Sequence, residues 1–451
     1  MASTPSSVSA RPQRRPNRRL VDVAAVAVGL GLGLCVVLAV VAESKGSLSA
    51  PGGLIIFGGR LAGLTGTYLL LIMLLLVARI PGIERAVGQD RLLKWHRRLG
   101  QWPIYLLTAH AVLITLGYAE QAKTGFWHEL WILIRTYADV LMAIVALALL
   151  VMAGVTSIRA ARRRMRYETW WTIHLYVYLA LALSFSHQLA NGASFVGHPL
   201  TRALWVALWL ATAGTVLAFR VCLPIVRSAW HGLRVVGVHE ETPGVVSVVC
   251  RGRRVERLGV AGGQFFQWRF LTRGMWWQAH PYSLSAMPRS PYLRVTVKAT
   301  GDHSRRLMRI PVGTRVAVEG PYGAFTRHAR DTNKVLLVGV GVGVTPVRAL
   351  LEDMDPWVDV VVVTRASTTG DLIFREEIRR LVTNRGGQLH EIVGSRRANP
   401  LDQRHLRRLV PDIAARDVYV CGPDDLSDSL VAAARNLGVS EDRIHREQFA
   451  F

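Results

Sequence analysis

The sequence predicts a multidomain membrane protein: a six-helix transmembrane bundle, then a compact β domain, then an α/β nucleotide-binding domain. Three observations predict this order. Hydrophobic residues make up 51% of the 451-residue chain, and they crowd its first half. Four histidines, His96, His110, His174 and His187, lie as two pairs inside apolar segments. The second half instead carries β-branched runs broken by glycine and proline, with a glycine-rich turn after one of them.

The spans come first. Residues 20–42, 61–80, 97–118, 137–157, 170–190 and 202–223 are apolar, each near the roughly 20 residues a helix needs to cross hydrocarbon. Six crossings return both termini to one side. Basic residues fix that side. Five arginines fall within 11–19. Arg79, Arg85, Arg91, Lys94, Arg97 and Arg98 fill one connection, and Arg159, Arg162, Arg163, Arg164 and Arg166 another. The alternate connections hold few. This is the positive-inside distribution, so both termini are expected in the cytoplasm and the spans in the plasma membrane. The same distribution accounts for much of the formal charge of +24, so membrane lipids are the expected partners and nucleic acid is not. Residues 1–19, rich in Ser, Pro and Arg, are expected to be disordered. The membrane domain is assigned to 20–224. The four cysteines, Cys35, Cys222, Cys250 and Cys421, form neither a metal knuckle nor a disulfide framework.

The third and fifth spans run in the same direction. His96 and His174 therefore lie at one depth, and His110 and His187 at another. At 1.5 Å per residue, each span separates its two histidines by about 20 Å. Two b-type haems fit between the spans, each held by one imidazole from each helix. Ionisable groups at such depth need partners, and two axial imidazoles favour electron transfer over substrate binding at iron. The phase is uneven. Fourteen residues return within about 40° of one face, whereas thirteen leave an offset near 140°. A tilt, bend or terminal unwinding of the fifth helix is therefore expected.

The β domain is assigned to 232–328. GLRVVGVHE, GVVSVVCRG and YLRVTVKAT read as strands, and alone they indicate a barrel or a sandwich. His280, Pro281, Tyr282 and Ser283 open the segment HPYSLS, where Tyr282 can flank a flavin ring and Ser283 can reach its reactive nitrogen. The turn GDHSRRL begins at Gly301. Its first amides and Ser304 suit the pyrophosphate of FAD, with Lys298, Arg305 and Arg306 adding positive charge.

Residues 332–451 form the third region. KVLLVGVGVGVTPVRALLE reads as strand, glycine loop and helix, with Gly339, Gly341 and Gly343 allowing close backbone approach and Thr345 and Pro346 starting the helix. It is not the strict G-x-G-x-x-G pattern. After the next strand, Arg365 and Ser367 stand where an acidic residue would serve an unphosphorylated ribose, which favours NADPH over NADH. Cys421, Gly422 and Pro423 end a further strand at the expected nicotinamide end of the site, and the terminal Phe451 is an aromatic able to cover a flavin.

As an ordered set over roughly 60–451, these motifs resemble the NADPH oxidase and ferric reductase superfamily, a haem-bearing transmembrane domain fused to a ferredoxin-reductase-like dehydrogenase. The resemblance implies a haem-binding bundle, an FAD-binding β-barrel and an NADP-binding α/β domain. It places two histidines on the third helix and two on the fifth, at His96, His110, His174 and His187. His280 stands where many soluble ferredoxin reductases carry Arg, which shifts attention to Lys298 and the 301–306 turn for pyrophosphate neutralisation. The function implied is electron transfer from cytoplasmic NADPH through FAD and two haems to dioxygen outside, giving superoxide. The alternatives are a ferric chelate or a partner redox protein as acceptor. Oligomeric state and any regulatory subunit are left open.

Overall fold

The computed structural model describes residues 18–87, 89–162, 164–165, 167–395 and 399–447. The basic N-terminal segment up to residue 17 and the terminal Phe451 lie outside the described residues. The chain divides into two units, with the boundary between Arg220 and Val221.

The first unit is helical. Its long apolar helices are α1 (Arg18–Val41), α2 (Gly53–Val77), α3 (Gln101–Ala122), α4 (Val140–Ser157), α5 (Tyr167–Asn191) and α6 (Pro199–Leu217). Six helices among the described residues are long and apolar enough to cross a membrane, as the hydropathy predicts. Arg18 and Arg19, expected in the disordered tail, already belong to α1. α2 packs along α3, and α4 along α5. Small residues make the first pairing possible. A Cβ on Gly59 would lie 3.0 Å from Ile114 Cδ1, and one on Gly66 would lie 3.0 Å from Leu106 Cβ. A row of glycines lets the two backbones approach where lipid supplies little drive for association.

α6 passes into a five-residue π-helical turn, Ala218–Cys222, and then into α7 (Leu223–His231). The apolar helical run of the sixth span, expected over 202–223, thus extends over Pro199–His231. Residues 223–231 belong to the second unit, where Ser228 Oγ is 3.3 Å from Val318 N.

That unit begins with six antiparallel strands: β1 (Arg234–Thr242), β2 (Val245–Arg251), β3 (Phe265–Phe270), β4 (His280–Ser283), β5 (Tyr292–Lys298) and β6 (Val316–Tyr322). They form the sheets β1-β2-β5 and β4-β3-β6. Isolated bridges, Arg234–Arg315 and Leu284–Val295, link the sheets and resolve the sequence's choice between barrel and sandwich toward a barrel. Alternation does the rest: Phe266, Trp268 and Phe270 point inward from β3 onto Val248 and Val295. The short helix α8 (Asp302–Leu307) follows β5.

The remaining strands are β7 (Lys334–Val340), β8 (Asp359–Ala366), β9 (Gln388–Val393), β10 (Asp417–Cys421) and β11 (Ile444–Glu447). They form one parallel sheet in the order β11-β10-β7-β8-β9. Almost all valines of the central strands β7, β8 and β10 are buried, as suits strands covered on both faces. The chain moves from β7 to β8 on one side and returns to β10 on the other. The crevice at the carboxyl ends of β7 and β10 is thus the topological switch point, where open α/β sheets bind ligands.

One buried carboxylate stitches the segment entering this sheet. Asp417 is fully buried and accepts hydrogen bonds from Thr332 N at 2.7 Å, Thr332 Oγ1 at 2.8 Å, Asp331 N at 3.1 Å and His445 Nε2 at 3.0 Å. Burial pushes its carboxyl up, but the bonds from His445, Thr332 and Asp331 outweigh that and hold it below the usual range. Its stabilising contribution is present above the unfolded-state value near ~3.9 and is lost as pH falls through the lower folded-state value. Asp417→Ala leaves buried donors unpaired. It is expected to cost about 3 kcal/mol and to lower the thermal midpoint of the detergent-solubilised protein by about 6–10 °C. A shift below about 2 °C would show that water replaces the carboxylate.

Candidate functional site

The four histidines meet as two pairs. His96 lies on the helix Gln89–Leu99, joined to α3 through Gly100, and His110 lies on α3 itself. His174 and His187 both lie on α5. The ring centroids of His96 and His174 are 6.1 Å apart, and those of His110 and His187 are 6.5 Å apart. Neither pair is stacked: the ring planes cross at 74° and 65°. α5 is one unbroken helix over Tyr167–Asn191, so terminal unwinding does not reconcile its thirteen-residue spacing. The partners His96 and His110 stand on two successive helical segments and need not share one azimuth around α5.

Each imidazole is oriented through Nδ1. His96 Nδ1 is 3.2 Å from Met73 O, and His110 Nδ1 is 2.8 Å from Gly59 O. Because carbonyls only accept, both rings carry their proton on Nδ1 and keep the Nε2 lone pair. His174 Nδ1 lies 3.5 Å from Ser157 Oγ, and His187 Nδ1 lies 3.2 Å from Asn191 Nδ2. Trp170 stacks on His174 at 5.2 Å. Gly63 leaves room for the His110 ring, since a Cβ there would lie 2.7 Å from its Nδ1. A pocket of about 1530 Å³, counted to its open mouth, lies beside His110 and His187. Its walls are mainly apolar, with Leu64, Leu107 and Ile114 among them and Arg60 as a charged lining residue. Arg60 is ion-paired with Glu43. Sequence reading did not single out Gly59, Gly63, Arg60 or Asn191. The small-residue spacing of the glycines and the i+4 spacing of Asn191 from His187 were the available signals.

In the barrel, His280, Pro281, Tyr282 and Ser283 make up β4. Trp268 Nε1 donates to Tyr282 O at 2.9 Å, which fixes the strand, and burial pushes the Tyr282 phenol well up. Ser283 Oγ is buried without a hydrogen-bond partner among the described residues. The turn at Gly301, expected to offer Ser304 to a pyrophosphate, uses that serine internally. Thr300 N and Gly301 N both donate to Ser304 Oγ at 2.9 Å, and Ser304 Oγ lies 3.0 Å from Gly301 O. A serine at the third helical position reaches back to the helix start, so Ser304 is spent on shaping the turn. Lys298 is exposed at the end of β5.

At the switch point, Gly339 is the penultimate residue of β7 and Gly341–Gly343 form a 3₁₀ turn, followed by the helix α9 (Val344–Asp353), whose first turn holds Thr345 and Pro346. Gly341 takes φ +55, and Thr345 Oγ1 donates to Val342 O at 2.9 Å. Gly343 packs on the backbone of Cys421 and Gly422, so the glycine loop and the CGP turn interlock. Cys421 itself is fully buried, and burial, then Glu447, push its thiol well up. Cys421, expected at the nicotinamide end of the site, thus contributes backbone there and no accessible thiol, and Pro423 is exposed. Arg365 also departs from expectation. It is 5% exposed and donates to Asn399 O at 2.5 Å and Gly394 O at 3.4 Å. A strand-end arginine can turn inward onto carbonyls as readily as outward to a phosphate. Ser367 is exposed.

Comparison with known proteins separates the two halves. Residues 62–185 match the family described as the ferric reductase like transmembrane component, and residues 245–326 match an FAD-binding domain family. An NADPH oxidoreductase of Mycobacterium tuberculosis is 28% identical over 228 residues, 48% of this chain and 59% of that protein. A putative respiratory burst oxidase homolog, protein G of Arabidopsis thaliana, is 24% identical over 206 residues, 41% of this chain and 23% of that protein. The flavohem-like FAD/NAD-binding domain of nitric oxide dioxygenase from Vibrio cholerae is 23% identical in the aligned part. That alignment covers 49% of this chain and 98% of the other, with a TM-score of 0.42. The chain spans about half the length of the first curated relatives it matches. A ferric-reductase-like segment among six apolar helices, followed by an FAD-binding barrel and a parallel α/β sheet, makes this a membrane protein with the paired domains of the NADPH oxidase and ferric reductase superfamily.

Proposed function

We propose that this chain is an NADPH-dependent flavin oxidoreductase that moves electrons across the plasma membrane to dioxygen, releasing superoxide on the outer face. The observation that carries the reading is the two facing histidine pairs, at 6.1 and 6.5 Å, within apolar helices of a chain that also holds an FAD-binding barrel. A centroid spacing near ~6 Å suits two imidazoles on opposite sides of one metal ion, given metal–nitrogen distances of about 2 Å. The residues therefore fit two b-type haems, one held by His96 and His174 and the other by His110 and His187. Ser283, with its unpaired buried hydroxyl, and Tyr282 fit the flavin, and the Gly339–Gly343 loop with Gly422 fits the nicotinamide nucleotide. The chemistry those groups supply when bound is hydride acceptance at the flavin and one-electron carriage at iron.

The chain's own part is positional. Met73 and Gly59 carbonyls aim His96 and His110, so both rings present lone pairs at low reorganisation cost. The arginine distribution supports cytoplasmic termini, and the potential across such a membrane favours outward electron movement by about 2.3 kcal/mol per 100 mV for a full crossing. The short external connections between the apolar spans favour a small acceptor over a bulky chelate. The exposed Ser367 supports NADPH over NADH, while Arg365, engaged with carbonyls, does not. The ferric-reductase-like match keeps a ferric chelate as the second reading.

Purified protein reduced anaerobically with NADPH and then given oxygen is expected to form superoxide in step with NADPH loss. Without oxygen, the same protein should oxidise NADPH at less than about a tenth of that rate. A ferric-chelate rate equal to or above the aerobic rate would replace dioxygen by iron as acceptor. Protein showing flavin absorption and no haem Soret band would end the transmembrane reading.

A further inference from the structure

A second histidine stands beside the His-Pro-Tyr-Ser strand. His303 lies in the first turn of α8, and its ring centroid is 3.7 Å from that of His280, with the planes 32° apart. His303 Nδ1 is 3.3 Å from the Tyr282 hydroxyl. When that hydroxyl donates, the ring's proton sits on Nε2. His303 Nε2 is buried without a hydrogen-bond partner, and the residue is 9% exposed. Just beyond Tyr282, Ser283 Oγ is buried and unpaired as well. Leaving a buried polar group unpaired costs about 1–3 kcal/mol. Two such groups on either side of one tyrosine mark a place shaped for a ligand.

The charge around His303 points to an anion. His280 and Tyr282 face it from β4 and Phe270 faces it from β3. Arg306 acts on it from α8, and β5, on which α8 packs, ends at exposed Lys298. The nearest acid in sequence, Asp302, is paired with Arg305 at 2.6 Å. Burial first, then His280 and Arg306, push the His303 imidazole down to about 3. Two imidazoles this close cannot both be charged unless a negative group joins them.

We propose that His303, stacked on His280, recognises the pyrophosphate of FAD, and that the imidazole pair takes up a proton as the flavin nucleotide binds. The proposal deepens the flavin reading above and rests on it. A guanidinium would hold its charge at any physiological pH, whereas an imidazole pair carries charge only when protonated. The sign follows. The bound diphosphate raises the proton affinity of the pair, so binding consumes a proton. Affinity is greatest at low pH and weakens as pH rises, by up to about tenfold per pH unit for one proton.

The test is an FAD titration of flavin-stripped full-length protein in detergent, followed by flavin fluorescence between about pH 5.5 and 8.5, the range in which histidine switches. The expected wild-type result is a Kd that rises several-fold per pH unit, with proton uptake near one per FAD measured in weakly buffered solution. His303→Gln should bind more weakly at low pH, by about tenfold, and with a flat profile. His303→Arg should restore tight binding without pH dependence. A flat wild-type profile with no proton uptake overturns this proposal and leaves the flavin reading intact. Retention of the wild-type slope in His303→Gln also overturns it. If the wild type binds no FAD at any pH, the flavin reading falls, and this proposal with it.

Discussion

Replacing His110 with alanine is expected to lower the haem content from two per chain to one and to cut NADPH-driven reduction of the external acceptor by at least about 100-fold. The reasoning starts from orientation. His110 is aimed by Gly59 O at 2.8 Å and faces His187 at 6.5 Å. Alanine removes the ligand and leaves a hole beside a pocket that is already open, so no neighbouring side chain can take its place. Flavin reduction in the other unit should proceed at its normal rate, because none of that chemistry uses His110. The measurement is therefore paired: pyridine-haemochrome stoichiometry and anaerobic flavin bleaching on one sample. Gly63→Ala offers a milder probe of the same place. Its new methyl would stand 2.7 Å from His110 Nδ1, tighter than a real contact allows, and would push the ring off its carbonyl. We expect a weakened site at His110 and His187 with the His96–His174 site intact. Full haem content and normal turnover in His110→Ala would remove the basis for placing iron between these helices.

The features legible in the sequence were those set by composition and period. Six spans followed from hydropathy alone, and three of the five strands of the parallel sheet, β7, β8 and β10, from apolar runs such as Asp359–Ala366; β9 and β11 carry no such run. The pairing of histidines by depth was legible because the third and fifth spans share a direction. Their phase was not. An offset computed on one straight helix assumes a partner at constant azimuth, whereas His96 sits on Gln89–Leu99, and His110 on the segment after Gly100. The direction of a single side chain was equally hidden. Arg365 and an outward-facing arginine have the same sequence signature, and only the loop carbonyls of Gly394 and Asn399 decide between them. Ser304 was singled out for a ligand and serves its own turn, since a serine near a helix start satisfies either use. His303 lay inside the same segment without being singled out. One histidine in a short turn has no periodicity, and its value comes from a strand more than 20 residues away in sequence.

Gly343→Val is expected to slow flavin reduction by NADPH by at least about 100-fold while leaving haem and flavin contents unchanged, because near-attack geometry tolerates little displacement. A Cβ at this position would strike Cys421 O and lie 2.6 Å from Cys421 C and 2.8 Å from Gly422 N. All three are backbone atoms, so no rotamer change relieves the clash. The glycine loop and the CGP turn must separate, and the crevice between β7 and β10 widens where the nicotinamide is proposed to lie. Chemical reduction by dithionite bypasses that crevice and should reduce flavin and haem as in the wild type. Gly341→Ala supplies the contrast. Gly341 has φ +55 with open space where a Cβ would stand, so alanine adds about 1 kcal/mol of backbone strain and no collision. Its NADPH rate should fall by less than about tenfold. Equal effects of the two substitutions would mean that loop stiffness, and not the interlock with Cys421 and Gly422, governs hydride delivery.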